Sequence, residues 1–537
     1  MEKVKEFLQK PWLYLFIIII GVSVKFYHID YRYFWYDELE TILHTSGIPD
    51  YAYNSIMPKN EIHPIEEYNE LLRLNKQDYS IGEQLKGISK LTNLNPLHYA
   101  LLVFWHRLAG DKDLHYRLFN VFFFLLTLPF LFFLAKILFK SDLAGWIAVC
   151  LFSVSPFFHF YAHEARYNML CTFLLVASHY FFLKALYQNK LKWWLAYWIA
   201  GSMLLYATML GGVAIIGHLF FVIFFKKEYR LKFGLSALGM LLIYSPWLVS
   251  IFNHRGQILG ALNWHTSYGN LSFIRLLVFQ LLDMSNVFVS FISTRQYYNL
   301  PLHNQFQGNI IEFIFNCIVF LLILYGTIQT FRNNSKEVSW FLLLAILPFY
   351  LFMYVSDVAR GAGMSLYWRY HLIYYTGILL VMAGFLSRRT ERRHWIRISV
   401  FSILIILGLI SIYTISQDKY RGVPFPGKDQ VACMDFISES EHPLLITDIC
   451  IFDGTIKSFL TISNRCECDN VDILYVTKDV QNVEDILKDT DYSEIFVAYL
   501  SYELTDNLRS QFGERMNPVE IEGISALWQI NISNKDN

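Results

Sequence analysis

Long apolar runs separated by short polar turns fill the first 417 residues, and the pattern changes character beyond them. A helix that crosses a bilayer needs about 20 mostly apolar residues. Such runs fall at 12–29, 116–139, 144–161, 167–187, 193–209, 210–225, 233–252, 309–331, 338–356, 371–387 and 396–415, which predicts eleven spans. The run at 97–109 is too short to cross and carries His98, His106 and Arg107, so it reads as an interfacial helix. After residue 417, short apolar stretches (PLLITDI, DILYVT, SEIFVAY) alternate with polar helical ones, and ISALWQINI after Gly523 would close the set. That alternation predicts an α/β layer fold. The expected fold class is a polytopic α-helical membrane domain over 1–417 with a soluble α/β domain over 418–537. Two loops of the first domain are expected outside the bilayer, at about 30–95 and 253–308. The stretch 65–74 in the first is amphipathic, and 271–292 in the second reads as a helix lying on the membrane.

Composition agrees with this pattern. The 537 residues are 55% apolar, 18% aromatic and only 17% charged, against about 25% charged in a soluble protein. The aromatic content excludes disorder, and 7 cysteines are too few for a disulfide scaffold. With 45 residues of each sign there is no basic excess of the kind nucleic-acid binding requires.

The placement of charge tests the span count. Lys and Arg collect in cytoplasmic loops. With eleven spans and the N-terminus inside, those loops hold Lys3, Lys5 and Lys10; Lys136 and Lys140; Lys184, Lys190 and Lys192; Lys226, Lys227, Arg230 and Lys232; Arg332 and Lys336; and Arg388 to Arg397. The short outer turns carry isolated arginines, Arg166, Arg360 and Arg369. A twelve-span count would invert everything after residue 110. No small-x-small cleavage site follows the first run, so it is expected to stay as an anchor. Residues 418–537 hold 10 basic and 22 acidic side chains, whereas 1–417 hold 35 and 23. The neutral total therefore averages a basic membrane domain and an acidic outward tail.

Cys150, Cys171 and Cys317 sit in spans as small packing residues. Cys433, Cys450, Cys466 and Cys468 lie in the tail, where an oxidising compartment would permit any of three pairings. A C-x-C without a second pair is a weak zinc signal, and no GxGxxG or GxxxxGK[ST] occurs there, so no cofactor is expected.

Three polar clusters stand at the same expected face. After the first span comes Phe34-Trp35-Tyr36-Asp37-Glu38-Leu39-Glu40. Carboxylates among aromatic rings suit a general base, since burial raises a carboxyl pKa; a solvated loop start is the plainer reading. The second is His163-Glu164-Ala165-Arg166-Tyr167, in a turn between two spans. Ionisable groups at a membrane boundary are usually paired or functional; a Glu164–Arg166 or Glu164–His163 contact that merely fixes the turn would explain them too. The third is Tyr367-Trp368-Arg369-Tyr370-His371. An arginine at a helix N-terminus suits a phosphate, and a snorkelling interfacial arginine is the alternative. Their convergence on one face favours a shared outward cavity.

At these residues the chain resembles the membrane-embedded GT-C glycosyltransferases related to protein O-mannosyltransferases and lipid A aminoarabinose transferases. The matching elements run in family order: Tyr36-Asp37-Glu38, then Asn95-Pro96-Leu97-His98-Tyr99 with Arg117, then Glu164-Ala165-Arg166-Tyr167, then Arg369-Tyr370. The resemblance covers roughly 10–390. The family's His-Pro-Pro is Asn95-Pro96 here, with His63-Pro64 upstream, and the DxD metal motif of oligosaccharyl transferases is missing from 163–166.

The resemblance implies a sugar transferred from a polyprenyl-phosphate donor to a lipid, glycan or protein acceptor, in the cytoplasmic membrane and without a metal. It implies Asp37 as base with Glu38 in reserve, Arg166 and Arg369 on the donor phosphate, and Glu164, His163, Tyr370 and His98 on the sugar or acceptor or orienting the site. Membrane lipids are the other expected partners. A polytopic transporter or flippase is the competing class; it would place polar groups at the midplane of broken helices within repeated halves. A structural anchor for the tail would not need eleven spans.

Overall fold

A computed structural model describes residues 10–45, 58–71, 80–91, 96–110, 112–256, 273–290, 310–388, 394–419, 428–448, 470–477, 482–488, 490–492, 494–498, 501–520 and 527–531. The chain divides into two compact units, one of Met1–Tyr31 with Thr92–Asp418, the other of Arg32–Leu91 with Lys419–Asn537.

In the first unit a helix stands at each of the eleven apolar runs. Seven are long and apolar enough to cross a membrane: Asp113–Phe139, Asn168–Gln188, Lys227–Asn253, Phe313–Asn333, Lys336–Arg360, Arg369–Leu386 and Trp395–Ser416. An eighth is a bent pair, Asp142–Ser153 and Pro156–Ala162. Pro11–Ser23, Leu191–Ala207 and Gly211–Phe225 are shorter, with 13, 17 and 15 residues. Pro96–Ala109, the run too short to span, forms a 14-residue helix, and Phe273–Asp283 is helical as its pattern predicts. The rest of the 253–308 loop, at 257–272 and 291–308, lies outside the described residues.

The apolar faces divide between protein and lipid. Leu372–Leu386 is buried along its whole length. Arg230–Asn253, by contrast, leaves Leu231, Leu235, Leu238, Leu242 and Phe252 exposed. Lipid is as apolar as leucine, so close packing rather than burial must bring such helices together. Gly408 shows it: a Cβ there would sit 2.4 Å from the Val154 carbonyl oxygen.

The second unit is built on a six-stranded mixed sheet. Its strands are β1 (Ile62–Pro64), β2 (Pro443–Thr447), β3 (Asp472–Tyr475), β4 (Glu494–Ala498), β5 (Met516–Pro518) and β6 (Leu527–Ile530), in the order β1-β3-β2-β4-β6-β5. β2 runs parallel to both β3 and β4, and the remaining pairs are antiparallel. Central parallel strands are covered on both faces, which is why β2 and β4 read as unbroken apolar runs. Leu444, Ile446, Leu474, Ile495, Val497, Leu504 and Leu508 form the core. β6, part of the stretch expected to close the set, is an inner strand, and the short β5 takes the edge beyond it.

β1 comes from the polar segment that sequence reading assigned to a loop of the membrane domain. It pairs with β3, Ile62 opposite Leu474, so residues 32–91 group with the tail. Asn60 secures the entry: it takes a left-handed φ of 58°, which asparagine tolerates, and exchanges bonds of 3.0 Å with Thr477 Oγ1 and N. Cys433 is buried; Cys450, Cys466 and Cys468 lie outside the described residues.

Candidate active site

The Glu164–Arg166 turn is buried inside the helical unit rather than solvated. Helix Asp142–Ser153 stops at Val154, and Pro156–Ala162 leaves at 60°. Pro156 has no N–H for the preceding turn and opens the second piece, where a missing donor costs nothing. Ser155 caps it, accepting from Phe158 N at 3.5 Å and donating to the Val287 carbonyl at 2.5 Å. The chain then passes through His163, Glu164 and Arg166, all buried, into Asn168–Gln188.

Neighbouring helices hold this turn by hydrogen bonds. The Glu164 carboxylate accepts from Asn168 Nδ2 at 2.6 Å, and its carbonyl accepts from Asn120 Nδ2 at 2.5 Å and from Arg166 N at 2.8 Å. His163 Nε2 donates to the Lys25 carbonyl at 2.8 Å, which ties the turn to the end of the first helix. Arg117 Nη1 likewise donates to the Ile29 carbonyl at 2.9 Å. Buried polar groups are costly unless so satisfied, and once satisfied they specify one geometry.

Arg369 reaches the same neighbourhood from the far part of the chain. Its guanidinium carbon lies 5.5 Å from the rings of both Tyr367 and Tyr370. Asp357 shapes the approach: Oδ1 accepts from Met364 N at 2.9 Å and Oδ2 from Ser365 N at 2.6 Å. Gly361, with φ 62°, ends Lys336–Arg360 so that the chain can turn back onto that carboxylate. His371 Nε2 donates to the Ser365 carbonyl at 2.6 Å, and Tyr375 Oη donates to the Asp283 carbonyl at 2.6 Å.

The two arginines meet electrostatically at Tyr167. Burial pushes its hydroxyl pKa up and Tyr370 adds to that, while the charges of Arg166 and Arg369 pull it down. The Arg166 guanidinium lies 5.5 Å from the Tyr167 ring. His98 stands edge-on to Tyr167, with ring centroids 6.3 Å apart. It is fully buried, and neither ring nitrogen has a hydrogen-bond partner among the described residues. Burial, and then the charge of Arg166, hold its pKa well below 6.5. It is therefore a neutral imidazole with one donor and one acceptor to offer.

The structure thus brings together His98, Arg166, Tyr167, Arg369 and Tyr370, with Glu164 one residue from Ala165 in the same turn. Asp37 and Glu38 belong to the second unit, in the first turn of helix Tyr36–Thr45. Glu38 is buried and its Oε2 accepts from Trp35 N at 3.4 Å, a capping contact; Asp37 is half-buried. Sequence reading missed Asn120, Asn168 and Asp357 as supports. Each was visible as a polar residue within or beside an apolar run, the available signal. Among the described residues, no group of three or more His, Cys, Asp or Glu is placed to hold a metal ion.

This helical arrangement is the GT-C fold, that of polytopic membrane glycosyltransferases. Residues 94–249, which include His98 and the 163–167 turn, match the model of the dolichyl-phosphate-mannose-protein mannosyltransferase family. Over nearly the whole chain the structure resembles ArnT from Cupriavidus metallidurans bound to undecaprenyl phosphate, with a TM-score of 0.55 and 12% identity, covering 97% of this chain and 98% of that one. The apo state of the same ArnT aligns with a TM-score of 0.51 and 13% identity, covering 96% and 97%. No curated protein matches the chain in sequence.

Proposed function

We propose that this chain is an integral-membrane glycosyltransferase that moves a sugar from a polyprenyl-phosphate donor to an acceptor hydroxyl or phosphate on the outer face of the cytoplasmic membrane. The observation that carries the reading is the pair of arginines set against tyrosine rings, Arg166 5.5 Å from that of Tyr167 and Arg369 5.5 Å from those of Tyr367 and Tyr370, with both charges acting on half-buried Tyr167. Two guanidinium groups suit the donor's phosphodiester and, more strongly, the polyprenyl phosphate monoester that leaves, whose oxygens they can grip bidentately. The match of residues 94–249 to a family of polyprenyl-phosphate-dependent transferases supports it, as does a structural neighbour that binds undecaprenyl phosphate. The basic residues of the intervening loops support the orientation.

In this mechanism an acceptor oxygen attacks the anomeric carbon as the bond from that carbon to the phosphate oxygen breaks, inverting the centre. The acceptor proton passes to a carboxylate, for which Asp37 is the choice and Glu38 the reserve. An acceptor phosphate, already ionised, needs the base less. The departing polyprenyl phosphate gains negative charge, so Arg166 and Arg369 stabilise the transition state more than the ground state. Glu164, His163, Tyr370 and His98 position these arginines or contact the sugar and acceptor.

The test incubates purified protein with polyprenyl-phosphate sugars and an extract of envelope lipids and glycans, and measures free polyprenyl phosphate. Donor-dependent release is the expected result. Movement of intact donor between leaflets of a vesicle without any release would instead make the chain a flippase.

A further inference from the structure

A second charged site lies at the other end of helix Leu372–Leu386. Arg369 precedes this 15-residue helix and Arg388 follows it, a separation of about 22 Å along the axis. There a cleft of about 330 Å³ opens between the starts of Pro11–Ser23, Asp142–Ser153 and His394–Ser416. Leu13, Ile17, Ile147, Phe401 and Ile405 form its apolar walls, and Arg388 and Arg397 stand at its polar end. Arg397 is buried; its Nη1 donates to the Arg388 carbonyl, and its guanidinium carbon lies 5.8 Å from the Phe385 ring. The Arg388 side chain is half-buried. Asp142 at the same helix ends is paired with Lys136 at 2.6 Å. Ile406 of its wall is exposed, as are Phe16 and Ile403 on the same two helices, so the cleft opens sideways onto whatever surrounds the helices.

We propose that this cleft binds one anionic phospholipid, with its phosphate on Arg388 and Arg397 and an acyl chain along the apolar walls. Three features select this occupant. Two guanidinium groups at one end call for an anion with several acceptor oxygens. The walls continue from Phe401 to Ile406, about 7 Å along the helix, well beyond the reach of a free phosphate. The sideways opening admits a molecule already lying in the bilayer, and basic pockets between membrane helices recognise anionic headgroups in this way. Because the helix Leu372–Leu386 separates this cleft from Arg369, the inference stands apart from the proposed transfer reaction.

Native mass spectrometry of the full chain in detergent tests it, with phosphatidylglycerol, phosphatidylcholine, polyprenyl phosphate and inorganic phosphate as probes. Phosphatidylglycerol should be retained about tenfold better than phosphatidylcholine, and Arg388→Gln should remove about that factor, the worth of one hydrogen bond to a charged group. Ser402→Trp, which fills the cleft and leaves both arginines in place, should lower retention equally. Arg388→Lys should fall between wild type and Arg388→Gln. Equal retention of the two phospholipids would overturn the proposal, as would retention unchanged in both variants. Preferential displacement of phosphatidylglycerol by polyprenyl phosphate, or by inorganic phosphate, would overturn it too. Unfolding temperatures of the lipid-free variants identify any loss that comes from misfolding.

Discussion

The arginines at the two ends of helix Leu372–Leu386 carry the same charge in opposite surroundings. Arg166 and Arg369 lie among tyrosines, a neutral histidine and a carboxylate, and the turns that carry them are fastened by Asn120, Asn168 and Asp357. Arg388 and Arg397 stand over hydrocarbon walls. A cation beside a hydrogen-bonded framework is held to one geometry and can discriminate a transition state from a ground state. A cation above a greasy cleft can recognise only a headgroup and a tail. On the proposed readings the difference separates chemistry from the holding of a lipid, although a census of arginines at helix ends would count the four alike.

The comparison can be broken most directly at Arg369. Arg369→Ala should lower transfer by about 1,000-fold, the upper range for loss of one group that stabilises a developing anion. Arg369→Lys should recover part of this, since a point charge lacks the planar fork. Near-normal release of polyprenyl phosphate by Arg369→Ala would remove the Arg166 end as the phosphate site. Asp37→Asn should cost about 100-fold with a hydroxyl acceptor, in the range of general-base catalysis, and less with a phosphate acceptor. The ratio of turnover on the two acceptor types measures this, and equal losses on both would point to a structural role.

Smaller effects sharpen the contrast. Asp357→Ala frees Met364 N and Ser365 N, and should raise the donor KM about tenfold while leaving kcat closer to wild type. A fall in kcat alone would place Asp357 elsewhere in the mechanism. Gly408→Ala puts a methyl group against the Val154 carbonyl at the bend and should destabilise the helical unit by about 1–3 kcal/mol, read from thermal unfolding in detergent. The smallest effect concerns His98. The folded chain resists a proton that the unfolded chain accepts near pH 6.5, so stability is full above that pH and declines below it. His98→Gln should flatten this decline. Identical pH profiles of unfolding temperature for the two proteins would show that His98 takes up its proton equally in the folded and unfolded chain.

Much of the helical unit was legible because a bilayer imposes a length and a hydropathy that the chain must write out residue by residue. The clusters at 163–167 and 367–371 were legible for the same reason, as ionisable residues beside spans. Other features were not. The 60° break at Val154 and Ser155 lies inside what reads as one apolar run, and Pro156 alone does not give the angle. β1 is three residues of a polar segment, Ile62, His63 and Pro64, and nothing local announces a partner some four hundred residues away. The four strands that were read correctly, β2, β3, β4 and β6, are buried enough to show as apolar runs.

The sequence by itself determined where the apolar helices lie, the α/β character of the tail and the residues with chemistry to offer. Those are set by local composition and period, which each segment carries alone. Only the tertiary structure decided that Arg166 and Arg369 both act on Tyr167, that His98 stands beside it with no hydrogen-bond partner among the described residues, and that residues 32–91 group with the sheet. Each depends on contacts between segments far apart in the chain. Such contacts depend on the packing of whole helices and strands, and no single segment records them.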